Sequence, residues 1–362
     1  SRNSPTCLRW RTSRKVSTSC CQPSEIAFLN PTSASCTGSF TRKNRGRQKT
    51  AHQTITDKNA NLTASAPVAK PKEPHEIAEI KWVNPEEIKK MFTTNFDAKV
   101  KKELGYFARV SHALRQLSHS RIGLIGYLSM GMYTGAFDHL SIRKNLGPEI
   151  DQVDQYVLIK KIEEIKSAKV EELKKKAQKE WDIGRAVTDQ DLEITLKMYL
   201  ALKNLAEEFK WSALTIKCQY ELSKYYKHTP CVPLSMLADE IPCSCEGDIP
   251  LIVTQLMMHY LSNQTVSYGD THTIEGDKVV LGACGYAPFS LGEGRPKVDK
   301  TTVLYEGLAN CTVYKEGKVT LARLSYTKNR GYKMHIATGQ AHKPEPFREV
   351  GLSLIHISEP TR

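Results

Sequence analysis

Arg121-Ile122-Gly123-Leu124-Ile125-Gly126-Tyr127-Leu128 is a short apolar run that opens directly into Ser129-Met130-Gly131-Met132-Tyr133-Thr134-Gly135. Its length and aliphatic content predict a strand buried in a core. A buried strand that gives way to a Gly/Ser loop is how an open α/β sheet presents its ligand-binding edge. The loop lacks the G-x-G-x-x-G spacing, so a dinucleotide is not indicated.

Helices flank that strand on both sides. Upstream, Leu104, Phe107, Ala108, Val110, Ala113 and Leu114 fall at helical spacing and predict a helix over 97–117. Before it, Asn84-Pro85-Glu86-Glu87 is a helix start, with an Asn cap, Pro at the first turn and acids beside the positive helix end. Downstream, 155–181 is dense in Lys and Glu three to four apart, which predicts a solvated amphipathic helix rather than a nucleic-acid surface. Residues 188–209 predict another helix, capped by Thr188 or Asp189. A strand over 214–218, a helix over 233–239, an apolar helix over 250–261 and a strand over 265–270 follow. Beyond about 275 the pattern changes to short strand-like runs between Gly turns, at 278–281, 301–304, 311–314, 319–326 and 332–337.

The order of these elements predicts an α/β chain. A Rossmann-like parallel-sheet domain over 118–263 precedes a mostly β, barrel-like domain over 264–351, and 74–117 is the helical remnant of an earlier α/β domain. Residues 1–73 are expected to be a disordered basic leader. They show no sustained period, and the short apolar run at 26–29 leads nowhere. The final stretch, 352–362, reads LSLIHISEPTR and resembles the translation of a sequencing-library adapter, so the β domain is expected to be truncated near Gly351.

Charge follows the same division. The 362 residues carry a net +13, yet residues 1–70 alone hold twelve Lys/Arg against Glu25 and Asp57. The basicity therefore belongs to the leader. An organelle transit peptide, a nucleic-acid-binding arm and a stretch without meaning remain open for it. No run of 18 apolar residues is present, so a membrane span is not expected. Four of the ten cysteines (Cys7, Cys20, Cys21 and Cys36) lie in the leader, and the rest form no disulfide framework, which predicts a reducing, cytoplasmic setting. Cys243, Cys245 and Cys284 lack zinc-finger spacing and are expected to be small buried residues. Trp181 and Trp211 are expected in the core.

The chemistry-bearing pair is Glu246 and Asp270, 24 residues apart. The intervening helix runs out about 18 Å, and the following strand climbs back about 17–20 Å. Both acids then return to one edge, each at the carboxyl end of a strand. Two converging carboxylates suit a hard divalent cation. The plain alternative is that Glu246 caps the helix and Asp270 caps a turn. Lys217 and Gln219, at the end of the 214–218 strand, could reach substrate hydroxyls or simply be exposed. Ser129 and Met130 are placed to line a pocket.

Leu128 to Met132, Gly135, Asp138-His139, Leu146-Gly147 and Asp154, followed by Cys245-Glu246-Gly247-Asp248, Gly269-Asp270 and Cys284-Gly285-Tyr286-Ala287-Pro288, resemble the L-fucose isomerase family over about residues 80–351. The resemblance implies a Mn2+ ion, or another divalent cation, bound by Glu246 and Asp270, by a histidine and by two sugar oxygens. It implies conversion of an aldose to its ketose, with Glu246 and Asp270 also serving as the acid/base pair. It further implies a homo-oligomer, hexameric in that family, whose partner is a small sugar, with neither membrane nor nucleic acid. The family's histidine lies in the C-terminal domain. Here His272 is expected on a surface loop, His335 on an ordinary sheet face and His342 before a Pro-rich turn. Two rival readings are a non-catalytic sugar-binding relative and a basic nucleic-acid-associated protein acting through its leader.

Overall fold

The computed structural model describes residues 7–12, 26–29, 98–129, 131–275, 278–301, 306–327, 329 and 331–343. The chain divides into two units, Ser1–Ser33 with Ala108–Arg362, and Ala34–Phe107. Of the second unit, 98–107 are described, as the first turns of helix α1 (Ala98–His119). The helix start at Asn84 lies outside the described residues.

The larger unit holds a four-stranded parallel sheet. Its strands β3 (Arg121–Ile125), β4 (Glu149–Val153), β6 (Ala213–Ile216) and β7 (Cys243–Cys245) lie in the order β4-β3-β6-β7. β6 and β7 are buried throughout, as strands covered on both faces must be. One face packs on Leu117 of α1, Ile142 of α2 (His139–Asn145), and Ile249, Ile252, Val253 and Leu256 of α7 (Ile249–Ser262). The other packs on α3 (Gln155–Glu164) through Leu158 and Ile162, on α5 (Asp189–Phe209), and on α6 (Cys231–Leu237). Gly123 is required by packing. A Cβ there would sit 2.3 Å from the Trp211 ring, which lies against the strand. Both Trp181 and Trp211 are core residues.

The helix ends follow capping chemistry. Thr188 accepts from Asp191 N while the Asp191 side chain accepts from Thr188 N, a reciprocal capping box at the start of α5. Asp138 and Asp154 cap α2 and α3 by accepting from Ser141 N and Tyr156 N.

The Lys/Glu-rich stretch is not one helix. It is α3 followed by α4 (Glu171–Glu180), separated by an extended Ile165 and a single 3-10 turn at Ser167–Lys169. Ile165 and Val170 both bury in the core, and that burial outweighs the helical propensity of the neighbouring Lys and Glu.

The β strands form two further sheets. β8 (Val266–Glu275), β9 (Lys278–Gly282), β12 (Gly317–Thr327) and β13 (Gly331–His342) join two strands from near the start of the chain, β1 (Cys7–Thr12) and β2 (Ile26–Leu29). All pairings are antiparallel in the order β1-β13-β12-β2-β8-β9, and β1 pairs with β9 as well as β13. A leader without structure is thus corrected at two places. Four to six residues are too few to show strand alternation, and their partners lie more than two hundred residues away. The third sheet orders β11 (Leu308–Asn310), β10 (Lys297–Lys300) and β5 (Asp182–Ile183).

One strand expectation fails. Residues 311–314 are not a strand; Tyr314 makes only an isolated bridge to Gly292. Most of 301–304 lies outside the described residues. No helix among the described residues is long and apolar enough to cross a membrane.

Candidate functional site

The carboxyl ends of β3, β6 and β7 meet at one place. Glu246 follows β7 directly with φ +67°, a left-handed conformation that non-glycine residues adopt at a cost. Gly247 continues at φ +70°, and a Cβ on it would stand 2.5 Å from Tyr127 O. The chain can turn under the β3 loop there only as glycine. Ser129 N donates to Glu246 O at 2.9 Å and ties that loop to the turn. Beyond β6, Tyr220 is also left-handed at φ +66° and leads into a π-helical turn, Glu221–Tyr225. Strain and a π-turn on adjacent strand ends are features that gather at ligand sites.

Three expected residues come together here. Gln219 Nε2 donates to Glu246 Oε1 at 3.2 Å. Ser129, Gln219 and Glu246 are all buried. Met130 lies outside the described residues. Lys217 corrects the simple surface reading, for it is 1% exposed. Its Nζ donates to Tyr127 Oη at 2.7 Å and pairs with Glu221 at 2.7 Å. Burial works against the Lys217 charge, but the bonds to Glu221 and Tyr127 outweigh it and hold the pKa above its ordinary value.

Asp270 arrives by a different route from the one expected. β8 does not end at residue 270 but continues to Glu275, so Asp270 sits within an antiparallel strand, opposite Gly282. It is half-buried. Burial, and then the negative charges of Glu246, Cys284 and Asp248, push its carboxyl well above the usual range, against the pull of Arg323. The two acids therefore lie in one electrostatic field. Neither has the plain structural job. The cap of α7 is Asp248, which accepts from Leu251 N at 2.8 Å, and Asp270 caps no turn.

His272 is likewise not on a surface loop. The β8–β9 register slips between Thr271 and Thr273, which makes His272 the extra residue of a β-bulge, half-buried on the strand that carries Asp270. Burial lowers its pKa, partly offset by Cys284 and the Gly282 backbone. His335 and His342 are exposed on β13.

Sequence reasoning missed the thiols. The ligand atoms of Cys218, Cys245 and Glu246 lie within 4.8 Å of one another. Cys231 and Cys245 lower the Cys284 pKa, and Cys245 Sγ and Tyr268 Oη are hydrogen-bonded at 2.5 Å. Cys218, Cys231, Cys243, Cys245, Cys284 and Cys311 are free thiols. Cys243 behaves as expected, buried with its sulfur on Ile241 O. The signal for Cys218 was available only through the sheet. β6 and β7 are parallel neighbours, with Ile216 opposite Cys245, so a cysteine two residues past Ile216 projects near the end of β7.

Two carboxylates, a carboxamide and several thiols thus crowd a buried strand edge. The donor set fits a divalent cation, because such an ion would offset the burial and the neighbouring negative charges that raise the Asp270 carboxyl. No protein-family model matches the chain, and no curated protein matches it.

Proposed function

We propose that this chain is a metal-dependent aldose–ketose isomerase similar to the L-fucose isomerases, built from a Rossmann-like domain and a barrel-like β domain. The observation that carries the reading is that Glu246, just past the end of β7, and Asp270, within β8, lie in one electrostatic field, with neither acid used as the cap of α7. Glu246 and Asp270 would hold a divalent cation such as Mn2+, with His272 the nearby imidazole. When bound, that ion supplies Lewis-acid polarisation of the sugar's carbonyl.

The chain's own groups would do the rest. A carboxylate of the pair takes the proton from C2 of the open-chain aldose; the C–H electrons form the C1–C2 double bond and the C1=O π pair moves onto O1. The same carboxyl returns that proton to C1, and the proton of the C2 hydroxyl passes to O1, so that C2 becomes the ketone and C1 carries a hydroxyl. Gln219 fixes Glu246 Oε1, and the Ser129 main chain fixes the turn on which Glu246 stands, so the base keeps one orientation. Burial of Ser129, Gln219 and Glu246 keeps water from the developing negative charge. The same reading carries a cytoplasmic homo-oligomer, hexameric by the same resemblance.

The test is ketose formation from a panel of aldoses with and without Mn2+. Glu246→Gln and Asp270→Asn should each abolish Mn2+-dependent turnover while leaving the far-ultraviolet circular dichroism unchanged. Turnover at the parent rate in either variant overturns the assignment.

A further inference from the structure

Cys218, Cys245 and Glu246 answer to a different chemistry from that of two carboxylates. Their ligand atoms lie within 4.8 Å of one another, all three residues are buried, and both cysteines are free thiols. Two sulfurs and one oxygen form a donor set that selects borderline and soft cations over hard ones.

The surroundings are those of ligands held in place. Tyr268 Oη is hydrogen-bonded to Cys245 Sγ at 2.5 Å, and Gln219 Nε2 donates to Glu246 Oε1 at 3.2 Å. Groups that orient ligands in this way are the usual outer support of a protein metal site. The strained φ of +67° at Glu246 aims its carboxylate at the same place.

We propose that Cys218, Cys245 and Glu246 form a binding site for a thiophilic divalent cation, Zn2+ or Cd2+ in chemical class. Each thiol gives its proton to solvent as its sulfur takes the ion, and the fourth tetrahedral position is left for water. Because the site shares Glu246 with the carboxylate pair, an ion seated on the thiols takes Glu246 away from Asp270. The thiol site does not depend on the isomerase reading, since its donors and its test involve no sugar.

The experiment uses the full chain with Cys7, Cys20, Cys21 and Cys36 changed to Ser, so that leader thiols cannot contribute. The metal-free, reduced protein is titrated with Co2+, then with Zn2+. One equivalent of Co2+ should produce a thiolate-to-cobalt charge-transfer band that Zn2+ abolishes. Adding Cys218→Ser or Cys245→Ser should weaken binding about tenfold or more, whereas Cys311→Ser should leave it unchanged.

A folded protein without the band, or a band untouched by both cluster variants, overturns the proposal. Should the cluster variants fail to fold, X-ray absorption of the Zn2+-loaded parent decides. Two sulfurs at about 2.3 Å with oxygen neighbours support the site; oxygen and nitrogen alone, or four sulfurs, overturn it.

Discussion

Arg323 Nη2 lies 2.8 Å from Asp248 Oδ2, in an ion pair whose side chains are 7% and 0% exposed. Arg323 belongs to β12, and Asp248 caps α7 two residues after Glu246. The pair therefore fastens the antiparallel sheet to the strand edge that bears the candidate site. Arg323 Nη2 also reaches Thr134 O at 3.3 Å, in the loop beyond β3.

Removing one partner strands a buried charge, so Arg323→Met should cost about 3–5 kcal/mol. The double variant Arg323→Met with Asp248→Asn should cost less than the two single changes together, because no uncompensated ion remains. Urea unfolding of the four proteins checks this. Additive losses would show that the two side chains do not interact.

Gly247→Ala should damage the site from the backbone. Its φ of +70° disfavours any side chain, and the new Cβ would meet Tyr127 O at 2.5 Å. A left-handed alanine alone is disfavoured by about 1–2 kcal/mol, and here the strand end must also shift. We expect a lower melting temperature and loss of whatever divalent-ion binding the parent shows. A variant with the parent's stability and binding would mean that the turn can be made differently.

His228 gives the stability a pH dependence of definite sign. It is half-buried, with Nδ1 unbonded, and burial lowers its pKa below the ordinary value of 6.5, only partly opposed by Asp191 and Glu306. The native state therefore prefers the neutral ring. The unfolded chain takes up the proton first, so stability is present above pH 6.5 and is lost as pH falls through the lowered native value. His228→Gln should flatten the pH dependence of the unfolding midpoint between about 7 and 5. An unchanged slope would assign the effect elsewhere.

These residues also show what could be read from sequence. The α5 helix was legible because Thr188 and Asp191 cap it locally, and α7 because its apolar run follows directly on Asp248. What escaped depends on partners distant in sequence. Cys218 meets Cys245 only because β6 and β7 are parallel neighbours. β8 continues past Asp270 only because β9 folds back on it, which also makes the bulge that holds His272. Ile26–Leu29 becomes a strand through β12 and β8, elements far along the chain. The break between α3 and α4 reflects burial of Ile165 and Val170, which no helical propensity reports.

Lys217 and Glu221 supply an asymmetric prediction. The lysine side chain is 2% exposed and the glutamate 40%. Lys217→Met removes a buried charge and leaves Glu221 able to take up water, so its loss of stability should be small. Glu221→Gln instead leaves the ammonium inside with Tyr127 Oη, without a counter-charge. Burial is then opposed by Tyr127 alone and drives the lysine pKa down. The glutamate change should be the more destabilising at neutral pH, and its deficit should shrink as pH rises, because the unfolded chain gives up its lysine proton only near pH 10.4. Chemical unfolding of both variants at pH 7 and pH 9 decides it. If Lys217→Met proves the worse at both, then its aliphatic packing rather than its charge holds the end of β6.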